Sequence, residues 1–466
     1  MTSTSTPSDR RVAGSFRDPS GFVFERGGVL FRQVNRSYRA AYDRLTGSGL
    51  DRALIDDGWL IPHVEEDGPL ADPEAGAVLL RPERVPFVSY PYEWCFGQLK
   101  DAALRTLDIQ RRALDSGMTL KDASAFNIQF VAGRPVLIDS LSFEPYEEGR
   151  PWVAYRQFCQ HFLAPLAVMS RVDPRALLSF RVHLDGLPLD LASKLLPRRT
   201  WLQPGLLIHV HAHARSQRAH GDAAGALDRS RPFPRRALLG MLDSLRSAVA
   251  GLTWNPGGTE WADYYDATNY TDAATDRKLR MVEALVDRVR PRTAWDLGAN
   301  TGRFSRVAAE AGAEVVAFDV DPACVERNYR EVVARGERRV LPLLTDLANP
   351  SPALGWDHTE RSSLLDRGPA DLVLALALVH HLAISNNLPL GRVASFLRRA
   401  GRSLIVEFVP KSDSQVRRLL AGRDDVFPDY TQDGFELAFA PHFAVEHAER
   451  IADSDRTLYL MRARPE

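Results

Sequence analysis

The stretch Thr293–Ser305, "TAWDLGANTGRFS", decides the fold of the C-terminal half. It passes from a short apolar segment through a turn bracketed by Gly298 and Gly302 into a helix that the pattern starts near Arg303. Strand, glycine turn and helix in that order put the turn at the carboxyl end of a strand, where open α/β sheets bind ligands. Glycine has no Cβ, so the backbone there can turn sharply and approach a ligand closely. Asp296 adds a carboxylate at the strand end. About twenty residues further on, "EVVAFDVDP" gives a second strand closing on Asp319, the acidic position that in such folds accepts hydrogen bonds from ribose hydroxyls.

The spacing separates two classes of ligand. A dinucleotide site wants G-x-G-x-x-G, with the pyrophosphate over a helix N-terminus. Here Asp296-Leu-Gly-Ala-Asn-Thr-Gly302 leaves the first two glycines unpaired and sets a carboxylate beside the turn. That carboxylate repels a pyrophosphate and suits a ligand bearing an ammonium and a sulfonium. The motif resembles the first motif of the class I S-adenosylmethionine-dependent methyltransferases, over residues 254 to 466. The resemblance implies an α/β fold: a C-terminal Rossmann-like domain with a mostly parallel seven-stranded sheet. It implies that Asp296, Gly298, Asn300 and Gly302 lie along the methionine part of S-adenosylmethionine and that Asp319 holds the ribose. Asp346, closing the third strand "LPLLTDLANP", takes the adenine-amino position. The fourth strand, "ADLVLALALVHHLA", exits at the acceptor mouth; the fifth, "RSLIVEFVP", carries Glu407; "RTLYLMRAR" reads as a late edge strand.

Methyl transfer from a sulfonium is an in-line displacement, so the protein must hold the acceptor atom about 3 Å from the methyl carbon and remove a proton from a hydroxyl acceptor. His380 and His381, at the exit of the fourth strand, are the candidate catalytic residues because histidine titrates near neutral pH. The alternative is a helix start whose histidines satisfy backbone groups or neighbouring carboxylates. Trp254, Trp261, Tyr264, Tyr265 and Tyr270 make either a lid over the cofactor or the apolar edge of a lead-in helix. The Asn/Asp-Pro-Pro-aromatic element of amino-methylating nucleic-acid enzymes is absent from "ALVHH", which favours a small-molecule or carbohydrate-like acceptor.

The N-terminal half carries a second pattern. "GFVFERGGVLFRQVN" reads as a hairpin around Arg26-Gly27-Gly28, "AVLLRPERVPFVSYPYEW" as two further strands, and "QLKDAALRTLDIQRRALDSGM" as an amphipathic helix stopped by Gly117. "TLKDASAFNIQFVAGRPVLIDSLSFE" then sets Asp122 and Asn127 in a loop and Asp139 beyond a hairpin, the residue types that phosphoryl transfer uses as base and metal ligands. This segment resembles the catalytic and metal loops of the protein-kinase and aminoglycoside-phosphotransferase fold. It departs from them in having Leu120 where a histidine usually stands, too few glycines over the phosphates, and Arg32 as the nearest cation in place of a strand lysine. Three readings follow: a kinase-like fold repurposed to bind the acceptor or a partner, an active phosphotransferase that makes the chain bifunctional, and an ordinary α+β domain. "LLIHVHAHARSQ" brings His209, His211 and His213 close, but with no acidic fourth ligand nearby it reads as a solvated or capping cluster, and no metal site is expected.

With 466 residues and 45% hydrophobic composition the chain can bury more than one core. The expected organisation is a disordered stretch over 1–20, an α+β accessory domain over 21–250 and the methyltransferase domain over 251–466, with a boundary or long loop near 216–234. The 59 basic and 60 acidic side chains nearly cancel, which argues against a general nucleic-acid or membrane binder. Three scattered cysteines, no signal-peptide core and no long apolar run fit a cytoplasmic protein. Oligomeric state leaves no mark in the sequence. A chain that holds cofactor without turnover is the non-enzymatic alternative.

Overall fold

The computed structural model describes residues 9–220, 232–257, 272–422, 424–452 and 454–465. The chain divides into two compact units, one of residues 1–254 with 353–361, the other of 255–352 with 362–466.

The first unit opens with a five-stranded antiparallel sheet. Its strands are β1 (Arg10–Arg11), β2 (Gly21–Arg26), β3 (Val29–Asn35), β4 (His63–Glu65) and β5 (Gly76–Pro82), in the order β1-β2-β3-β5-β4. The β2–β3 hairpin turns on Gly27 and Gly28, with φ of 58° and 80°, a left-handed pair that a two-residue hairpin needs and L side chains resist. Residues 9–20, expected to be frayed, are instead fastened to this sheet. Arg10 and Arg11 pair with Glu25 and Phe24, the Val12 N–H donates to the Val23 carbonyl, and Asp9 pairs with Arg26 at 2.6 Å.

A helix over Phe96–Asp115 buries Leu99, Ala103, Leu107, Ala113 and Leu114 and ends before Gly117, whose φ is 70°. Short strands β6 (Met118–Leu120), β7 (Ile128–Val131), β8 (Arg134–Leu137) and β9 (Phe143–Pro145) follow, pairing β6 with β9 and β7 with β8. The second strand expected after β5 does not form. The Gln129 side-chain amide takes the ladder's place, accepting from the Ser89 N–H and donating to the Ser89 carbonyl, each at 2.8 Å, between Pro86 and Pro91, which have no N–H to offer.

Segment 353–361 lies inside the range expected for the methyltransferase domain, yet it packs with the first unit. Glu360 pairs with Arg17, and the Arg361 guanidinium sits 4.4 Å from the Phe126 ring centroid. Of the boundary or long loop expected near 216–234, residues 216–220 belong to the helix His213–His220 and 221–231 lie outside the described residues, as do the aromatics Trp261, Tyr264, Tyr265 and Tyr270.

The second unit is a seven-stranded sheet of β10 (Thr293–Leu297), β11 (Glu314–Asp319), β12 (Val340–Leu344), β13 (Ala370–Ala375), β14 (Gly401–Phe408), β15 (Phe443–Arg450) and β16 (Thr457–Ala463), in the order β12-β11-β10-β13-β14-β16-β15. All run the same way except β16, which is antiparallel to both neighbours. β16 is therefore interior, and the edge falls to β15, whose outer residues are largely exposed. The parallel strands are near-continuous apolar runs, as a sheet buried on both faces demands. Val282, Leu285 and Val286 of the helix Asp272–Val289 join Phe304, Ala308, Val315, Leu374 and Ile405 in one core. Successive crossovers leave β10 toward β11 on one side and reach β13 on the other, so a crevice opens at their carboxyl ends.

Candidate functional site

At that crevice the chain leaves β10 through Gly298 (φ 77°), Asn300 (φ 50°) and Gly302 (φ 81°) before the helix Arg303–Glu310. The N–H groups of Gly298 and Ala299 both donate to the Phe318 carbonyl at 2.9 Å, drawing the loop against the end of β11. A Cβ on Gly302 would lie 2.5 Å from Asn328 Nδ2, so neither the conformation nor the space admits a side chain.

Two carboxylates converge on this loop. Asp319 at the end of β11 accepts the Asn300 N–H on Oδ2 and the Asp321 N–H on Oδ1, each at 2.8 Å. Asp296 near the end of β10 accepts the Ser305 hydroxyl on Oδ2 at 2.6 Å. Both are buried. Burial pushes Asp319 up to about 6, against the pull of its backbone donors, and pushes Asp296 up to about 7, with the Asp319 charge adding to the rise and Ser305 and Lys278 opposing it. Desolvation thus makes both ionised carboxylates costly here, and a cationic ligand would offset that cost. A left-handed glycine loop flanked by two buried carboxylates is chemically compatible with a cationic nucleoside such as S-adenosylmethionine. Asp346 stands after β12 but is exposed, and its Oδ1 accepts the Ala348 N–H at 2.9 Å in a local turn.

On the other side of the crevice β13 exits through Ala377, held at φ 50°, into a π-turn over His381–Ser385. Such single π-turns recur at functional sites. His380 does stand at a helix start, as the alternative reading has it, but it is buried with both ring nitrogens unbonded, so neither backbone nor a carboxylate satisfies the ring. Its ring centroid lies 4.1 Å from that of His381. Burial, then the neighbouring His381 and Arg456, drive His380 well below the usual histidine range, and burial with Arg456 takes His381 to about 4. Both rings are neutral at physiological pH, and the expectation that they titrate near neutrality is not met, because burial disfavours the charged imidazolium.

Next to them is a group of charges with no local signature in the sequence. Glu407 of β14 accepts Lys278 Nζ on Oε2 at 2.5 Å and Arg456 Nη1 on Oε1 at 3.3 Å, and Oε2 also accepts the Ala377 N–H at 2.8 Å. Arg456 Nε donates to Asp413 Oδ2 at 2.8 Å. Lys278, Glu407 and Arg456 are all buried. Burial lowers the Lys278 ammonium against the opposing pull of Glu407. Glu407 thereby fixes the backbone that presents His380. Lys278 and Arg456 lie 129 and 49 residues from Glu407 in sequence, beyond any spacing rule.

In the first unit the structure brings Asp122, Asn127 and Asp139 together. Asn127 bonds Asp122 and donates through Nδ2 to Ser142 Oγ at 3.3 Å, and the Ser142 hydroxyl donates to Asp139 Oδ2 at 2.7 Å. Burial raises Asp122. Burial also pushes Asp139 upward, but the Arg32 guanidinium, the Ser142 hydroxyl and the Leu141 N–H together carry it below the usual carboxylate range. His209 and His211 are not solvated. They are buried in a π-turn over Leu207–Ala212, His209 bonded to the Tyr155 and Ser244 hydroxyls and His211 to those of Ser193 and Thr200. Among the described residues no cluster of three or more His, Cys, Asp or Glu side chains is set to hold a metal ion, and no helix is long and apolar enough to cross a membrane.

No family profile matches the chain. Over 465 residues, 97% of this chain and 96% of the relative, it is 38% identical to nodulation protein NoeA of Rhizobium meliloti strain 1021. Among solved structures, magnesium protoporphyrin IX methyltransferase (ChlM) from Synechocystis PCC 6803 with bound SAM is 18% identical and covers 44% of this chain and 90% of its own, with a TM-score of 0.30. The N-methyltransferase NodS from Bradyrhizobium japonicum WM9 is 13% identical and covers 42% of this chain and 98% of its own, with a TM-score of 0.32.

Proposed function

The chain belongs to the family of nodulation protein NoeA, and we propose that its second unit transfers a methyl group from S-adenosylmethionine to a small-molecule or carbohydrate-like acceptor in the cytoplasm. The observation that carries this reading is the pair of desolvated carboxylates, Asp296 and Asp319, on either side of a left-handed glycine loop at the crevice of a mostly parallel sheet. When bound, the cofactor supplies an electrophilic methyl carbon on sulfur. The chain's own residues hold it and receive the proton. Asp319 accepts from the ribose hydroxyls, and Asp296 offsets positive charge near the methionine end. His380, neutral and unbonded, takes the proton that the acceptor loses as its bond to carbon forms and the carbon–sulfur bond breaks. The Glu407 carboxylate favours the imidazolium that results. His381 lies beside it as the second candidate base.

The test is transfer of labelled methyl from S-adenosylmethionine to a metabolite extract. Wild type labels an acceptor, whereas His380→Gln binds the cofactor with unchanged affinity and labels it at least a hundred-fold more slowly, the lower end for removing a general base. Cofactor binding with no labelled product under any condition would instead favour a non-catalytic scaffold.

The carboxylates also set a pH dependence. Positive charge on the ligand stabilises the ionised forms, so their bound pKa values lie below the free values of about 6 and 7. Binding then expels protons wherever the free groups are partly protonated. Affinity should climb from about pH 5 to 7. Calorimetry in buffers of different ionisation enthalpy reads the released protons directly, and pH-independent binding would remove both aspartates from the site.

For the first unit we favour the kinase-like fold repurposed for binding, because Asp122 and Asn127 of the loop and Asp139 beyond the hairpin meet in one hydrogen-bonded cluster.

A further inference from the structure

We propose that Arg32 is the resident cation of the Asp122–Asn127–Asp139 cluster and stands in the place of a divalent metal ion. The inference rests on the kinase-like reading of the first unit, which assigns Asn127 and Asp139 to metal ligation and Asp122 to the base.

A magnesium-like ion needs carboxylate oxygens free to approach at about 2.1 Å in near-octahedral geometry. These oxygens are already engaged. Asp139 Oδ1 lies 2.5 Å from Arg32 Nη2 and accepts the Leu141 N–H at 3.1 Å, while Oδ2 accepts the Ser142 hydroxyl at 2.7 Å. Asp122 Oδ1 accepts the Ser124 N–H at 2.9 Å and Gln157 Nε2 at 2.8 Å. Asn127 Nδ2 donates to Ser142 Oγ at 3.3 Å, which links it to Asp139 through the serine hydroxyl.

The arginine is not an accidental surface partner. Its side chain is 12% exposed and that of Asp139 15%. Arg32 lies mid-strand in β3, paired with Val23 on one side and Leu80 on the other, so two ladders fix where the guanidinium starts. A guanidinium stays charged throughout the physiological range and cannot leave as a metal can. Lys121, whose Nζ lies 2.7 Å from Ser20 Oγ and 3.9 Å from Asp18 Oδ1, adds a second positive charge at the rim. The cluster therefore has an internal counter-charge, ties β3 to the segment between β8 and β9, and does not support metal-dependent phosphoryl transfer.

The experiment uses Mn²⁺ as the probe, read by its electron paramagnetic resonance signal on the full chain. Wild type should show no Mn²⁺ binding that Asp139→Asn removes. Arg32→Met should gain at least ten-fold in Mn²⁺ affinity over wild type, and the gain should vanish in Arg32→Met/Asp139→Asn. Wild-type binding abolished by Asp139→Asn would overturn the proposal and leave the kinase-like reading standing. A folded Arg32→Met chain, judged by circular dichroism, that gains no Mn²⁺ would overturn both, because the freed carboxylates would then not be arranged around a metal position. Arg32→Gln, which keeps a hydrogen bond to Asp139 without the charge, is read by the same criteria should the methionine variant fail to fold.

Discussion

Asp319→Ala should bind S-adenosylmethionine on the order of ten-fold or more weakly than the parent chain. The ribose hydrogen bonding to an ionised acceptor is lost, typically worth about 1.5–3 kcal/mol. The substitution also removes the acceptor of the Asn300 and Asp321 N–H groups, so part of the loss comes from a loop no longer held at φ 50° beside the ligand. Asp319→Asn separates the two contributions. It keeps one acceptor oxygen for the loop but has no charge, so an intermediate affinity assigns the remainder to the carboxylate. Calorimetry on both variants checks this, and affinity equal to wild type in Asp319→Ala would end the assignment of the ribose site.

The second large effect is on stability. Glu407→Gln takes from the buried Lys278 its ion-pair partner and from Arg456 the carboxylate it shares with Lys278, leaving Asp413 on Arg456. Removing one member of a buried ion pair costs about 3–5 kcal/mol, because the surviving charge keeps its desolvation penalty. For a unit of this size that lowers the melting temperature by roughly 10 °C. Lys278→Met/Glu407→Met should recover much of the loss, since replacing a buried pair by apolar groups of similar volume is often close to neutral. Differential scanning calorimetry decides: a single variant no less stable than the double would mean that the pair contributes nothing beyond packing.

Local features were readable in the sequence because their causes are local. "TAWDLGANTGRFS" declared its strand, turn and helix through an apolar run and two glycines, and the Gly27–Gly28 hairpin and the helix stopped by Gly117 were legible for the same reason. What failed depends on partners distant in the chain. The second strand expected after β5 is replaced by a side chain forty residues away, Gln129 on Ser89. β16 reads as an edge strand until its pairing with β15 is known. The site was half legible. Asp296 and Asp319 follow from spacing along two consecutive strands, whereas Lys278 and Arg456 belong to it only through the folded sheet. The histidines of residues 209 and 211 looked polar and surface-bound, but a π-turn directs them onto hydroxyls inside the unit.

The short segment 353–361 has a consequence for how such a chain could arise or be divided. The backbone passes from the first unit to the second at 254/255, returns at 352/353 and leaves again at 361/362. Two genes joined end to end would give one crossing. Cutting after Trp254 would take from the N-terminal piece the Glu360 that pairs with Arg17 and the Arg361 that covers Phe126. The two halves are thus not interchangeable cassettes. A swap between relatives must carry nine residues of one half inside the gene segment of the other, and this constraint ties the inheritance of the two units together.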